Sequence, residues 1–242
     1  MKKITLLFVL ALLSAATASA KPEKITTKFD GKERTYYTFA PEKISAPAPL
    51  LLLLHGSGRD GMSQIDEWKA LAEKEGVVLV APNSLNSREW AMSVDGPEFL
   101  HEIVEAVKVK YPIDGKRMYV FGHSAGAVFG LYMGVMESQY FAAAGVHAGA
   151  MRDDFFPYID LAKRKLPLAI WVGTEDAYFS LTVVRNTQSE LKKHGLDAQV
   201  FEIKGHDHNY YAIAKDLNPK VWAFLNATRL ESEPNWQTYL KR

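Results

Sequence analysis

A serine hydroxyl is a poor nucleophile at neutral pH; it gains power from a neighbouring base, and the base from an acid that orients it. One serine of this chain stands out by its surroundings. Ser124 lies in Gly122-His123-Ser124-Ala125-Gly126, between the apolar run Arg117-Met118-Tyr119-Val120-Phe121 and the small-residue segment Ala127-Val128-Phe129-Gly130-Leu131. This reads as strand, sharp turn and helix, with the serine at the tip of a nucleophile elbow. A Cβ on either flank would collide with neighbouring backbone, hence the glycines.

On such an elbow the partners follow in the order acid, then histidine. The acid is expected after the apolar run Leu168 to Val172, where Gly173-Thr174-Glu175-Asp176 stands; Asp176 is the first choice. Glu175 is its immediate rival, and Asp153 and Asp154 are further candidates. The base is expected after Ala198 to Ile203, in Gly205-His206-Asp207-His208-Asn209-Tyr210-Tyr211. Two histidines around an aspartate also match metal-ligand spacing, but no cysteine or second acidic-histidine motif completes a coordination shell, so no metal is expected. Charge developing on a carbonyl oxygen needs backbone donors. The amide of Ala125 is one; the loop Leu54-His55-Gly56-Ser57-Gly58 offers the other, expected at Ser57 with Gly56 and Gly58 as alternatives.

That loop also matches the dinucleotide fingerprint, as Gly56-Ser57-Gly58-Arg59-Asp60-Gly61 after a strand and before a helix. Two details oppose the match. The next strand ends Val80-Ala81-Pro82-Asn83, without the acid that would hold a ribose hydroxyl, and Asp60 would set negative charge against a pyrophosphate. No cofactor is expected.

The elements that must position these residues alternate. Strands are predicted over 34–40, 49–54, 77–81, the elbow run, 141–147, 168–172 and 198–203. Helices are predicted over 63–75, 98–110, from the elbow to about 136, 181–194 and 210–226. Pro49 to Leu54 is apolar throughout, as in a strand buried on both faces. Alternation of this kind predicts a mostly parallel sheet with helices on both faces, and such sheets carry their sites at the carboxyl ends of the strands. Residues 227–242 form a polar tail with an isolated Trp236 and no assigned role.

Residues 1–20 read as a secretory signal peptide: a basic Met1-Lys2-Lys3, an apolar stretch from Ile4 to Leu13, and Ala18-Ser19-Ala20 as cleavage site. The expected mature chain, 21–242, is a single catalytic domain acting in the periplasm or outside the cell, away from any cytoplasmic NAD pool. Setting aside Lys2 and Lys3 lowers the Lys and Arg count from 29 to 27 against 28 Asp and Glu, a formal balance of −1. Near-neutral charge argues against nucleic acid or anionic membrane as partner. No stretch after the signal is long and apolar enough for a membrane span. With no cysteine anywhere, stability has to come from the core.

From about 32 to 225 the chain resembles the α/β-hydrolase superfamily, and within it the secreted polyhydroxybutyrate depolymerase and feruloyl esterase group. The likeness rests on Leu53-Leu54-His55-Gly56, on Ala70-Leu71-Ala72-Glu73 leading to Gly76 and a strand ending in Pro82, and on Trp90. It also rests on Tyr111-x-Ile113-Asp114-x-x-Arg117-x-Tyr119-Val120 before the elbow. The loop Gly205-x-Asp207-His208-x-Tyr210-Tyr211 is similar to the histidine loop of the esterase D and S-formylglutathione hydrolase branch, where the histidine after the aspartate is catalytic; the resemblance points to His208. It implies an α/β-hydrolase fold with no large lid domain and a serine esterase working through an acyl-enzyme on short-chain or aryl esters of feruloyl, acetyl or hydroxybutyrate type. The partner it implies is a small or oligomeric ester. Trp90 and Tyr178, with Phe155, Phe156 and Tyr158, are the expected substrate-lining aromatics. The chain departs from the group in carrying Gly126-Ala127 where two glycines are usual, and in lacking disulfides and an appended substrate-binding domain; these departures bear on the substrate, not the chemistry. Two competing readings are a prolyl-oligopeptidase-type peptidase, whose gating domain has no counterpart here, and a catalytically silent hydrolase fold used for binding.

Overall fold

The structure is a computed structural model that describes residues 20–44 and 47–237. The expected signal peptide lies outside the described residues except for Ala20, as do the last five residues of the tail. Eight strands form one sheet in the order β1-β2-β4-β3-β5-β6-β7-β8. They are β1 (Glu23–Phe29), β2 (Lys32–Phe39), β3 (Ala48–Leu54), β4 (Val78–Pro82), β5 (Ile113–His123), β6 (Ala143–His147), β7 (Leu168–Gly173) and β8 (Ala198–Ile203). The pairs β1–β2 and β2–β4 are antiparallel, and every other neighbour pair is parallel.

Every residue of β3 is buried, and its leucines divide by parity. Leu50, Leu52 and Leu54 pack on one face, where α3 (Pro97–Lys110), α4 (Ala125–Met136) and α5 (Leu181–Lys193) lie. Leu51 and Leu53 pack on the other, against α1 (Gly61–Glu75) and α6 (Tyr210–Asn226). A strand flanked by helices on both sides has no solvent face, so the period-two pattern disappears and a continuous apolar run remains. A four-residue helix, α2 (Met92–Asp95), precedes α3, and a 3-10 helix spans Asp153–Leu161 between β6 and β7. No large lid domain stands over the carboxyl ends of the strands among the described residues.

Two differences from expectation have physical causes. β1 escaped prediction because it lies at the sheet edge with no buried residue, so it carries little apolar signal. Its turn was legible: Asp30 and Gly31 have φ of 49° and 74°, the paired positive angles of a type I′ hairpin, which Asp-Gly favours. The tail is also tied down. Trp236 stacks on His101 at 4.4 Å and meets the edge of Tyr140, while the Gln237 side-chain amide donates to Met136 O at 2.7 Å. It straps α3 to α4.

Candidate active site

Ser124 follows the last residue of β5 and caps α4, at φ 55° and ψ −118°. Few non-glycine residues hold a positive φ, and doing so costs about 1–3 kcal/mol of backbone strain. The flanking glycines are required by contact. A Cβ on Gly122 would lie 2.1 Å from Gly126 O, and one on Gly126 would lie 2.2 Å from Leu54 O. The Ser124 amide donates to His147 O on β6 at 3.0 Å, which fixes the turn to the neighbouring strand.

The chain brings Ser124, His208 and Asp176 into one hydrogen-bonded row. His208 Nε2 lies 2.9 Å from Ser124 Oγ, and His208 Nδ1 lies 2.8 Å from Asp176 Oδ2. The Asp176 side chain is fully buried, and its other oxygen accepts the amides of Tyr178 at 2.8 Å and Phe179 at 2.9 Å. With Oδ1 so occupied, Oδ2 is left to the imidazole, which fixes the tautomer with the proton on Nδ1 and a lone pair toward the serine. Glu175, the rival acid, is exposed. Asp153 and Asp154 sit on the 3-10 helix, where Asp154 pairs with Arg152 at 2.9 Å.

The loop after β3 passes against the nucleophile: a Cβ on Gly56 would lie 3.4 Å from Ser124 Cβ. His55 braces this loop from below. It is 1% exposed, its Nδ1–H donates to Gly56 O at 2.9 Å, and its Nε2 accepts the Ser84 amide at 3.1 Å. Burial holds its pKa below the ordinary value, so it stays neutral. Ala125 follows Ser124 in the chain and Ser57 lines the same cleft as Ser124; among the described residues neither amide donates to a backbone group of a turn, loop or cap.

Two clefts open at the elbow, one lined by Ser124 and the other by its neighbour Ala125. One, of about 640 Å³, is lined by Ser57, Arg59, Ser124, Tyr178, Asp207 and His208 among others. The second, about 670 Å³, is lined by Trp90, Ala125, Tyr132, Phe155 and Tyr158, with Arg152 and Asp154 at its rim. Trp90 is locked there, donating from Nε1 to His55 O at 2.9 Å and stacking on Phe129. Tyr178 is 77% exposed and stands 4.6 Å from the His208 ring. Phe156 lines neither cleft; it packs on the core. Among the described residues, no group of three His, Cys, Asp or Glu side chains is arranged to hold a metal ion.

Sequence reasoning missed a row of buried histidines behind the serine. His123 Nδ1 lies 3.1 Å from His147 Nδ1, and His147 Nε2 lies 3.2 Å from His206 Nε2. Each contact joins two ring nitrogens, so along the neutral row one ring donates and the next accepts. Burial, with His208 nearby, lowers the pKa of His123 to about 4, and burial with His123 and His206 lowers that of His147 to about 2. Burial likewise lowers His206. The available signal was strand register: His123 and His147 are paired at the ends of β5 and β6. The run from Tyr111 to Val120 serves β5 itself. Asp114 accepts from Arg117 Nε at 2.8 Å and from the Lys116 amide at 3.0 Å, fixing the start of the strand that ends at Ser124.

No known protein-family profile matches the chain. A bifunctional acetylxylan esterase/xylanase of Neocallimastix patriciarum is 33% identical over 103 residues, covering 41% of this chain and 15% of that protein. Feruloyl esterase B of Neurospora crassa is 25% identical over 154 residues, covering 58% of this chain and 52% of that protein. The chain thus spans about half or less of the length of these curated relatives. Among solved structures, the fluorophosphonate-binding serine hydrolase F of Staphylococcus aureus superposes with a TM-score of 0.72 at 15% identity, over 86% of this chain and 99% of that one. The chain has the α/β-hydrolase fold, as its sequence led us to expect.

Proposed function

We propose that this α/β-hydrolase chain is a serine carboxylic-ester hydrolase working through an acyl-enzyme. The observation that carries the reading is the row Asp176–His208–Ser124, with its serine strained at the elbow tip and lining an open cleft. Ser124 Oγ attacks the ester carbonyl while its proton passes to His208 Nε2; the oxygen of the tetrahedral intermediate takes the amides of Ser57 and Ala125. Collapse breaks the bond to the alkoxy oxygen, which leaves with the proton from His208. Water then repeats the sequence on the acyl-enzyme and releases the acid. Asp176 steadies the imidazolium formed in each half. Backbone donors of this kind are each worth about 10²–10³ in kcat.

The names borne by the two curated relatives support esters of acetyl or feruloyl type. The two open clefts at the elbow support short or aryl acyl groups, with Tyr178 in the one that Ser124 lines and Trp90 in the one that Ala125 lines. The basic, apolar and small-residue order of residues 1–20 supports export to the periplasm or beyond. The test is labelling by a fluorophosphonate probe alongside turnover of 4-nitrophenyl acetate. Wild type is expected to label and turn over, and Ser124→Ala to do neither; equal labelling of the two would overturn the assignment.

A further inference from the structure

Arg59 stands two residues beyond the Ser57 amide and lines the same cleft as Ser124 and His208. Its backbone is fixed, since its own amide donates to Gly56 O at 3.1 Å and the next residue, Asp60, caps α1 by accepting the Ser63 amide at 2.9 Å. The guanidinium is held too, 4.6 Å above the ring of Tyr211, whose hydroxyl lies 3.4 Å from Ser63 Oγ. Among the described residues no carboxylate lies within ion-pair distance of Arg59, and its side chain donates no hydrogen bond. A planar fork of donors, oriented by an aromatic ring and left open beside a nucleophile, matches a carboxylate in geometry and charge.

Which half of the ester meets it follows from the proposed acyl-enzyme chemistry, on which this inference rests. His208 has to deliver its proton to the departing oxygen, so the alcohol half occupies the cleft that His208 lines. That is the cleft of Arg59, which leaves the neighbouring cleft at Ala125, lined by Trp90, Tyr132 and Phe155, to the acyl half. We propose that Arg59 is a specificity-determining residue that binds a carboxylate on the alcohol half, so that the preferred substrates are esters of hydroxy acids. Asp207 lines the same cleft, with its carboxylate accepting the Asn209 amide at 2.8 Å; it opposes the anion and limits the preference.

The test compares kcat/KM for 3-acetoxybenzoate with that for the neutral isostere 3-acetoxybenzamide, so that the neutral ester reports folding and turnover in the same preparation. Wild type is expected to favour the anion roughly three- to tenfold, less at high salt. Arg59→Gln should bring the ratio to one or below, Arg59→Lys should keep part of it, and Asp207→Asn should raise it. A wild-type ratio of one or less, or a ratio unchanged in Arg59→Gln, overturns the proposal. An Arg59-dependent preference for mono-phenyl succinate over phenyl acetate, with none for 3-acetoxybenzoate, overturns the assignment of the alcohol half. If no ester is hydrolysed, the esterase reading itself has failed. Calorimetric titration with 3-hydroxybenzoate then decides: binding weakened in Arg59→Gln supports the carboxylate site, and equal or absent binding removes it.

Discussion

Asp95 and Asp176 are both buried, and in both every carboxylate oxygen is occupied. Asp95 Oδ1 takes Arg34 Nη2 at 2.5 Å and the Leu85 amide at 2.8 Å, while Oδ2 takes the Ala91 amide at 2.9 Å. Asp176 gives one oxygen to two amides and the other to His208. The difference lies in the partner. Arg34 is a permanent cation that also donates from Nη1 to Val94 O and from Nη2 to Asn83 O, and whose plane lies on Phe99, 3.5 Å from the ring centre. Nothing in that knot can change state, and it pins the 83–95 loop, with Trp90 in it, to β2. His208 can gain and lose a proton, and its second nitrogen faces a nucleophile in an open cleft. Burial and saturation alone do not mark a functional carboxylate; a partner able to switch does.

The largest expected effect is at the far end of the switching row. Ser124→Ala should lower ester turnover by about 10⁴-fold or more without loss of fold, read by kcat and circular dichroism. His208→Ala should do nearly the same, whereas His206→Ala should keep a substantial part of the activity; a dead His206→Ala enzyme beside a live His208→Ala would move the base by two residues.

The two aspartates provide the direct contrast. Asp176→Asn should cost about 10³- to 10⁴-fold in kcat, through the wrong imidazole tautomer, with a modest change in Tm. Asp95→Asn strands a buried guanidinium and should lose about 3–5 kcal/mol of stability in urea titrations. Its kcat per folded molecule should fall less than tenfold. If instead Asp95→Asn left stability intact and abolished turnover, the distinction between the two sites would collapse.

A smaller effect belongs to the histidine row. His123 and His147 have folded pKa values of about 4 and about 2, below the ordinary 6.5. As pH falls from about 6.5 toward 4, the unfolded chain binds protons that the folded chain refuses, so unfolding becomes easier; above 6.5 the row contributes nothing. Urea stability should drop by an amount on the order of a few kcal/mol across that window. A flat profile would mean that the rings charge in place.

The smallest contrast is between the two clefts. Neither is an enclosed tunnel, so kcat/KM should peak at acetyl to butyryl esters and fall by a few-fold toward long chains. A steady rise to palmitoyl would require an apolar channel absent from the residues lining either side.

Much of this was legible in the sequence because its causes are local. Gly122 answers a contact with Gly126 only four residues on, the helices carry their own periodicity, and the buried strands leave apolar runs. Asp176 and His208 could be ranked because each follows a recognisable strand. What escaped depends on distance. Arg34 and Asp95 meet across 61 positions, the histidine row needs the register of β5 against β6, and Arg59 acquires meaning only when Tyr211 folds beneath it.

The backbone at Ser124 has one more consequence. At φ 55° and ψ −118° a glycine would rest where the serine is held under tension. A lineage selected for durability alone would drift to glycine there and become hardier and inert. Serine at that place is therefore a liability borne against the interest of the scaffold, where usefulness has overruled endurance.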